Sequence, residues 1–320
     1  MSGDSSSTPA IEVADLRKQY RRVEALAGLS MTVRRGEVFG FLGPNGAGKT
    51  TTVKLLLGLA RPTAGGGTVL GAPLGDLRAR RRIGYLPELF RYQPWLRARE
   101  VLALHGELIG LPRARRRAAA AEILELVGLG DRSDDLVGRF SKGMQQRLGL
   151  GVALVGDPDL VILDEPTSAL DPIGRVDVRG IIRHARDRGA GVFLNSHLLS
   201  EVEQVCDRVA IVDHGRVIAS GRLDDVLGHS ETQARVTGLS EADLGAFESF
   251  GHPTLEGDRL VIRPMADDRV PDLVSLLVSM GVRVHEVRSG RSSLEQRFVE
   301  LVSRDSPPAG TPSSHPEGGR

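Results

Sequence analysis

The sequence is poor in cysteine and in long apolar runs, and both shortages restrict what it can be. Its single cysteine, Cys206, excludes an intrachain disulfide and any metal site built from several cysteines. The longest stretch without Asp, Glu, Lys, Arg, His, Asn or Gln is residues 62–75, and five glycines and two prolines interrupt its fourteen positions. A membrane-spanning helix needs about 20 mostly apolar residues. Any work at a membrane would therefore need another chain to supply the membrane part.

The first residues also lack the basic and apolar regions of a signal peptide, so the cytosol is the simplest expected compartment. Neither sign of charge dominates: 42 basic and 41 acidic side chains leave a net charge of +1, and aromatic residues make up only 4%. Arginine clusters at residues 80–82 and 115–117 could suggest RNA or anionic lipid. Because no aromatic residues interleave them, we interpret them as solvated helix faces and expect no nucleic acid partner.

Short apolar runs alternate with helical segments in the first two thirds of the chain, which predicts an α/β domain with a largely parallel sheet. After Gly221 the pattern changes to smaller strands and helices, including a predicted helix at 242–250. We therefore expect four parts along the chain: a flexible tail at 1–9, an α/β domain at 10–228 with a helical subdomain at about 89–155, a C-terminal α+β domain at 229–304, and a disordered tail at 305–320.

The strongest local signal is the glycine-rich stretch Gly43–Thr50, between an apolar strand and a helix. It fits the phosphate-loop pattern, and its place between a strand and a helix is the structural context that this pattern requires. Glycines let successive backbone N–H groups face a phosphate, and the helix that follows adds its positive dipole end. Lys49 can neutralise the β- and γ-phosphates, and the Thr50 hydroxyl can bind Mg²⁺. The alternative is a glycine-rich turn with a chance lysine.

A second signal is the apolar run 160–163 followed by two carboxylates, Asp164 and Glu165. An apolar strand that ends in a carboxylate can hold Mg²⁺ opposite a phosphate loop, usually through water. Glu165, one residue further, can accept a proton from an attacking water. An ordinary strand followed by acidic cap residues is the alternative for this motif on its own.

The order of these and the following motifs resembles that in the ATPase subunit of an ATP-binding cassette (ABC) transporter. Residues 140–147 resemble the family's signature, 168–171 its D-loop and 195–197 its switch histidine. Glu88 occupies the position of the Q-loop glutamine, and Tyr20 that of the aromatic that stacks on adenine. The resemblance covers residues 11 to about 222. It implies a P-loop NTPase fold, in which an ABC domain with an inserted helical subdomain is followed here by the small C-terminal α+β domain.

The resemblance also implies roles for matching positions. Glu165, His197 and Glu88 would be catalytic, and Mg²⁺ would lie near Thr50, Asp164 and Glu88. Signature residues bind the γ-phosphate of ATP held by the opposite subunit, which makes a second copy of the chain a partner. The residues expected to bind ATP are Tyr20, Gly43, Asn45, Gly46, Gly48, Lys49, Thr50, Thr51, Ser141 and Gly143.

Two departures from the family pattern affect these roles. Glu88 stands where glutamine is usual, which keeps an oxygen near Mg²⁺ but adds a negative charge. Lys142 and Met144 replace Gly and Gln in the signature, while Ser141 and Gly143 are retained. We therefore still expect ATP hydrolysis.

The segment 293–302 resembles the ending of ATPase subunits from multidrug and antibiotic exporters with separate permeases; the alternative is an amphipathic helix that merely closes a small domain. The sequence thus predicts a peripheral subunit at the cytoplasmic face of the cell membrane that binds and hydrolyses MgATP and powers a separate permease, for export. One alternative is a soluble ABC ATPase acting on ribosomes or DNA. Another is a nucleotide-dependent regulator that hydrolyses ATP poorly.

Overall fold

The computed structural model describes residues 8–168, 170–228, 231–290 and 293–305. The predicted tails at 1–9 and 305–320 lie almost wholly outside these ranges. Within them, no helix is both long and apolar enough to span a bilayer. The strands of the first part are β1 (Ile11–Tyr20), β2 (Val23–Val33), β3 (Val38–Leu42), β4 (Ala64–Val69), β5 (Ala72–Pro73), β6 (Ile83–Leu86), β7 (Leu160–Asp164), β8 (Gly191–Asn195), β9 (Arg208–Asp213) and β10 (Arg216–Arg222).

Helices connect these strands, as the alternating pattern predicts. They are α1 (Lys49–Leu56), α2 (Leu77–Arg80), α3 (Ala98–Leu108), α4 (Arg113–Leu126), α5 (Lys142–Leu154), α6 (Pro172–Asp187), α7 (Leu199–Val205) and α8 (Leu223–Leu227).

The central sheet has the strand order β10-β9-β3-β8-β7-β6. All its pairings are parallel except β9 with β10. Every residue of β3, β7 and β8 is buried, because helices or the second sheet cover both faces; this explains their continuous apolar sequences. The carboxyl ends of these three strands meet at one edge, which is where ligands bind in open α/β sheets.

A second, antiparallel sheet with the order β2-β1-β4-β5 packs on one face of the central sheet. Phe39, Phe41 and Phe193 are fully buried in the core between them. The rings of Phe41 and Phe193 lie with their centroids 5.1 Å apart. This aromatic core fixes the strand that leads into Gly43–Thr50.

The regular elements between β6 and β7 are all helices, joined by loops, apart from one isolated bridge between Arg97 and Leu136. Helices α3, α4 and α5 bury Leu102, Leu124 and Leu148 in a shared core that continues onto the other face of the central sheet. The absence of strand-like runs in the sequence predicted this.

The C-terminal part forms β11 (Glu231–Thr237), β12 (His252–Glu256), β13 (Arg259–Arg263), β14 (Arg283–Gly290), α9 (Val270–Ser279) and α10 (Leu294–Asp305). Its strands make a separate antiparallel sheet, in the order β12-β13-β11-β14. The helix predicted at 242–250 was wrong in type and length: a 3₁₀ helix spans Glu241–Phe247, and β12 follows soon after. Helix α10 returns to the first part of the chain and buries Leu294 in its core.

Candidate functional site

The loop Gly43–Thr50 joins β3 to α1 at the carboxyl edge of the central sheet. Gly46 and Gly48 have φ values of +87° and +100°, which residues with a side chain rarely adopt. A Cβ on Gly48 would also lie 2.5 Å from the carbonyl oxygen of Ala25. Gly48 caps α1 without a side-chain acceptor, so the first N–H groups of this helix are free to face an anion.

Lys49 lies between this loop and three carboxylates. Its Nζ donates hydrogen bonds to the carbonyl oxygens of Gly43 (2.6 Å) and Pro44 (3.1 Å). Burial lowers the pKa of Lys49, and the negative charges of Glu165, Asp164 and Glu88 oppose that shift. The lysine is therefore held where the loop and the acidic groups converge.

Asp164, the last residue of β7, is buried and faces Asn195, the last residue of β8. The two residues are direct partners in the parallel register, and Asn195 Nδ2 donates a short hydrogen bond to Asp164 Oδ1. Burial raises the pKa of Asp164, and the charges of Glu165 and Glu88 raise it further. The hydrogen bond from Asn195 and the charge of Lys49 act in the opposite direction.

Glu165 holds the exposed ring of His197 at the rim of the site. Glu165 Oε1 accepts a hydrogen bond from the backbone N–H of His197 (3.0 Å), and its Oε2 lies 2.7 Å from His197 Nδ1. Glu165 itself has a φ of +53°, and its N–H donates to the carbonyl oxygen of Asn195 (2.9 Å). This backbone turn directs the Glu165 carboxylate back to the edge of the sheet and towards the imidazole of His197.

These groups line one open cleft of about 540 Å³. The structure thus brings together most of the site residues predicted from the sequence, and it adds Asn195, to which the sequence motif had given no separate role. The parallel register of β7 and β8 is the signal that could have identified Asn195. The lining includes Asn45, Gly46, Gly48, Lys49, Thr50, Thr51, Glu88, Asp164, Glu165, Asn195 and His197.

Four of the predicted residues are not part of the lining. Gly43 lies behind the cleft, where its carbonyl oxygen binds Lys49. Tyr20 is 42% exposed, with the Lys18 ammonium 4.7 Å from its ring centroid. Its cross-strand partner Val23 does line the cleft, so a stacking role for Tyr20 stays a prediction.

Ser141 and Gly143, the other two, lie at the start of α5. The Ser141 side chain caps this helix, accepting a hydrogen bond from the backbone N–H of Met144 (3.2 Å). A Cβ on Gly143 would contact Leu170 and not the phosphate loop. The signature residues therefore lie outside the cleft of their own chain.

The cleft contains oxygen ligands of the kind that bind a magnesium ion together with a nucleotide. Among the residues that the structure describes, no three His, Cys, Asp or Glu side chains cluster closely enough to hold a metal. Asp164 supplies one carboxylate and Thr50 one exposed hydroxyl. Mg²⁺ commonly uses such a sparse set, because water and substrate phosphates complete its octahedron.

Comparisons with known proteins agree with this geometry. The ABC transporter family model matches residues 26–168. An uncharacterized ABC transporter ATP-binding protein from Nostoc is 41% identical, over 94% of this chain and 92% of its own length. The linearmycin resistance ATP-binding protein of Bacillus subtilis is 37% identical, covering 92% of this chain and 98% of its own. The Nod factor export ATP-binding protein I of Ralstonia nicotianae is 38% identical, covering 78% of each chain.

Solved structures show the same fold. An ATP-binding subunit of an ABC transporter superimposes with a TM-score of 0.63 at 34% identity, covering 68% of this chain and 91% of its own. A dimeric ATP-binding cassette in a post-hydrolysis state, bound to ADP and phosphate, gives a TM-score of 0.61 at 25% identity, covering 67% and 99%. A phosphate loop, a strand-end Asp-Glu pair and a histidine in one cleft, together with relatives that match nearly the whole length, establish that this chain belongs to the ATP-binding, ATP-hydrolysing subunits of ABC transporters.

Proposed function

We propose that this chain powers export through a separately encoded membrane permease, on which it docks from the cytoplasmic side. Two of its relatives, matched over 98% and 78% of their own length, are named for linearmycin resistance and for Nod factor export. The exporter-like C-terminal segment forms α10, whose Leu294 is fully buried against the ATPase core.

In the proposed site, the nucleotide phosphates lie over the loop that starts α1. The backbone N–H groups of residues 45–51 and the Lys49 ammonium bind the β- and γ-phosphates, as the open space above Gly46 allows. Thr50 and Asp164, with Glu88 at the rim, would hold Mg²⁺, which neutralises charge on the phosphates when bound. Tyr20 would stack on the base.

Glu165 is the proposed general base. His197, which contacts Glu165, would lie beside the γ-phosphate. The Glu165 side chain is only 10% exposed, and its two carboxylate oxygens face the backbone N–H and the ring of His197. The same contacts that orient the imidazole keep Glu165 at the strand edge, where an attacking water would lie. Positioning and electrostatic stabilisation would then carry most of the catalysis.

The placement of Ser141 and Gly143 outside the cleft supports a nucleotide site that two copies of the chain form together. A chain with one phosphate loop and one remote signature can complete its site only with the signature of a second copy. Two copies arranged head to tail would enclose two ATP molecules. The exposed N-terminus of α5 would then direct its N–H groups at the γ-phosphate bound by the partner.

Light scattering of purified variants tests the shared site. Glu165→Gln should form a dimer with MgATP and remain a monomer without it, because slow hydrolysis keeps the nucleotide trapped. Adding Ser141→Arg should abolish that dimer while each chain still binds ATP. Ala118→Arg, at an exposed position on α4, is the matched control and should leave dimerisation intact. Equal dimerisation with and without Ser141→Arg would contradict the shared site.

The direction of transport needs a cellular test. In cells that lack the gene, intracellular accumulation of the exported antibiotic should rise, and the wild-type gene should reverse this, whereas the Glu165→Gln gene should not. A panel of apolar and peptide antibiotics can be screened by uptake and by growth inhibition. Lower accumulation in the deletion strain would indicate import and refute the export proposal.

A further inference from the structure

The turn between α3 and α4 is flanked by exposed basic and apolar side chains, which together we call the basic tip. It consists of Arg113, Arg115 and Arg117 at the start of α4, and of Leu104 and Leu108 near the end of α3. All five side chains are exposed; Leu108 is 69% exposed and Leu104 40%. None of them belongs to the nucleotide cleft.

The arginines of the basic tip have no acidic partner in the part of the chain that the structure describes. Arg116, in the same turn of α4, does have one, because it contacts Glu107 of α3 at 2.6 Å. The first turns of α4 therefore neutralise Arg116 and leave the three arginines of the tip uncompensated.

The charges of α4 also run against its own dipole. Three unpaired arginines occupy its first five residues, where the positive end of the helix disfavours cations, and its acidic residues, Glu122 and Glu125, lie towards the negative end. Arg113 and Arg117 are four residues apart, a spacing at which like charges repel on a helix. The stability of α4 therefore does not account for this arrangement, whereas an external anion would.

We propose that the basic tip contacts the anionic headgroups of the membrane beside the permease. This inference rests on the proposed function, in which the chain docks on a membrane permease and so works within reach of a bilayer. Arginines attract an anionic leaflet, and exposed leucines beside them can enter the headgroup layer. No aromatic side chain belongs to the tip, which makes a single-stranded nucleic acid the poorer match.

Flotation of the full-length protein with lipid vesicles tests the proposal. We expect binding to vesicles containing one third phosphatidylglycerol in phosphatidylcholine, weak binding to pure phosphatidylcholine, and loss of binding at high salt. Each arginine near an anionic surface strengthens binding roughly fivefold. The combined change Arg113→Gln, Arg115→Gln and Arg117→Gln should therefore weaken binding at least about tenfold. Leu108→Ser should weaken it further at constant charge.

The matched control removes three exposed, unpaired arginines elsewhere, through Arg78→Gln, Arg81→Gln and Arg283→Gln. This variant has the same net charge as the tip variant and should bind the vesicles like the wild type. The tip variant should keep its ATPase activity without membranes, and its Tm should be unchanged or higher because the unfavourable charges at the start of α4 are gone.

Several results would overturn the proposal. Equal losses of vesicle binding in the tip and control variants would show a response to net charge alone. Tip-dependent binding of an RNA oligonucleotide or a polyglutamate peptide, without vesicle binding, would assign the tip to another partner. A lower Tm in the tip variant would show that the arginines stabilise the fold, and unchanged vesicle binding by Leu108→Ser would then rule out lipid contact at the tip. Because the test uses no permease and no ATP, its failure would leave the export proposal untouched.

Discussion

The substitution Glu165→Gln tests the central assignment of the site with little disturbance to the fold. Glutamine has nearly the same shape, and its side-chain oxygen can still accept the 3.0 Å hydrogen bond from the His197 backbone N–H. The lost feature is the basic oxygen 2.7 Å from His197 Nδ1. We therefore expect a change of less than about 1 kcal/mol in the free energy of unfolding.

Hydrolysis should respond far more strongly than stability. General-base assistance contributes roughly 10²–10⁴-fold, which corresponds to about 3–5 kcal/mol in the activation free energy. Single-turnover phosphate release measures the chemical step, and titration with a fluorescent ATP analogue measures binding. The variant should bind the nucleotide as the wild type does and release phosphate at least about a hundred times more slowly.

Glu201→Gln is a suitable control, because it also removes a buried carboxylate, but one that does not line the nucleotide cleft. Glu201 lies on α7 and pairs with Arg179 at 2.8 Å, with both side chains at most 15% exposed. Neutralising it leaves a buried guanidinium without its partner, so Tm should fall more than in Glu165→Gln while the chemical step is retained. If phosphate release by Glu165→Gln stays within about tenfold of the wild type with binding intact, Glu165 is not the base.

Four further predictions concern other parts of the molecule. Lys49→Ala should abolish tight MgATP binding in a fluorescence titration, and unchanged affinity would remove Lys49 from the phosphate site. Glu88→Gln should leave an active ATPase, because glutamine is usual there; a collapse of hydrolysis would give the carboxylate a direct role. Gly84→Ala would place a Cβ 1.7 Å from a backbone carbonyl oxygen of α5, so it should lower the free energy of unfolding by more than about 2 kcal/mol. Gly180→Ala lies in open space within α6 and should instead raise the free energy of unfolding by about 0.5–1 kcal/mol. Asp159→Asn should lower the free energy of unfolding by about 1 kcal/mol at neutral pH, because hydrogen bonds from Arg82 and Arg35 lower the pKa of this partly buried carboxyl. The difference from the wild type should vanish as the pH falls below the folded-state pKa of Asp159, and a constant difference down to about pH 3 would contradict the ion-pair origin.

The sequence by itself determined the elements whose signals are local. The apolar run of β3, the glycines that follow and the helix start at Lys49 are neighbours along the chain, and their backbone requirements show in the residue types. The same is true of β7 followed by Asp164. A strand buried on both faces has few alternatives to an unbroken apolar run, so these predictions were confirmed.

Only the tertiary structure decided which distant side chains meet. Asn195 reaches Asp164 because β7 and β8 pair in one particular register, and Glu165 reaches His197 because the chain turns with a positive φ after β7. The 3₁₀ geometry of Glu241–Phe247 and the return of α10 to the first core depend on packing against other elements in the same way. The uncompensated arginines of the basic tip became visible only when the ion pairs of their neighbours were known, because composition records the number of charges and folding decides which of them are neutralised.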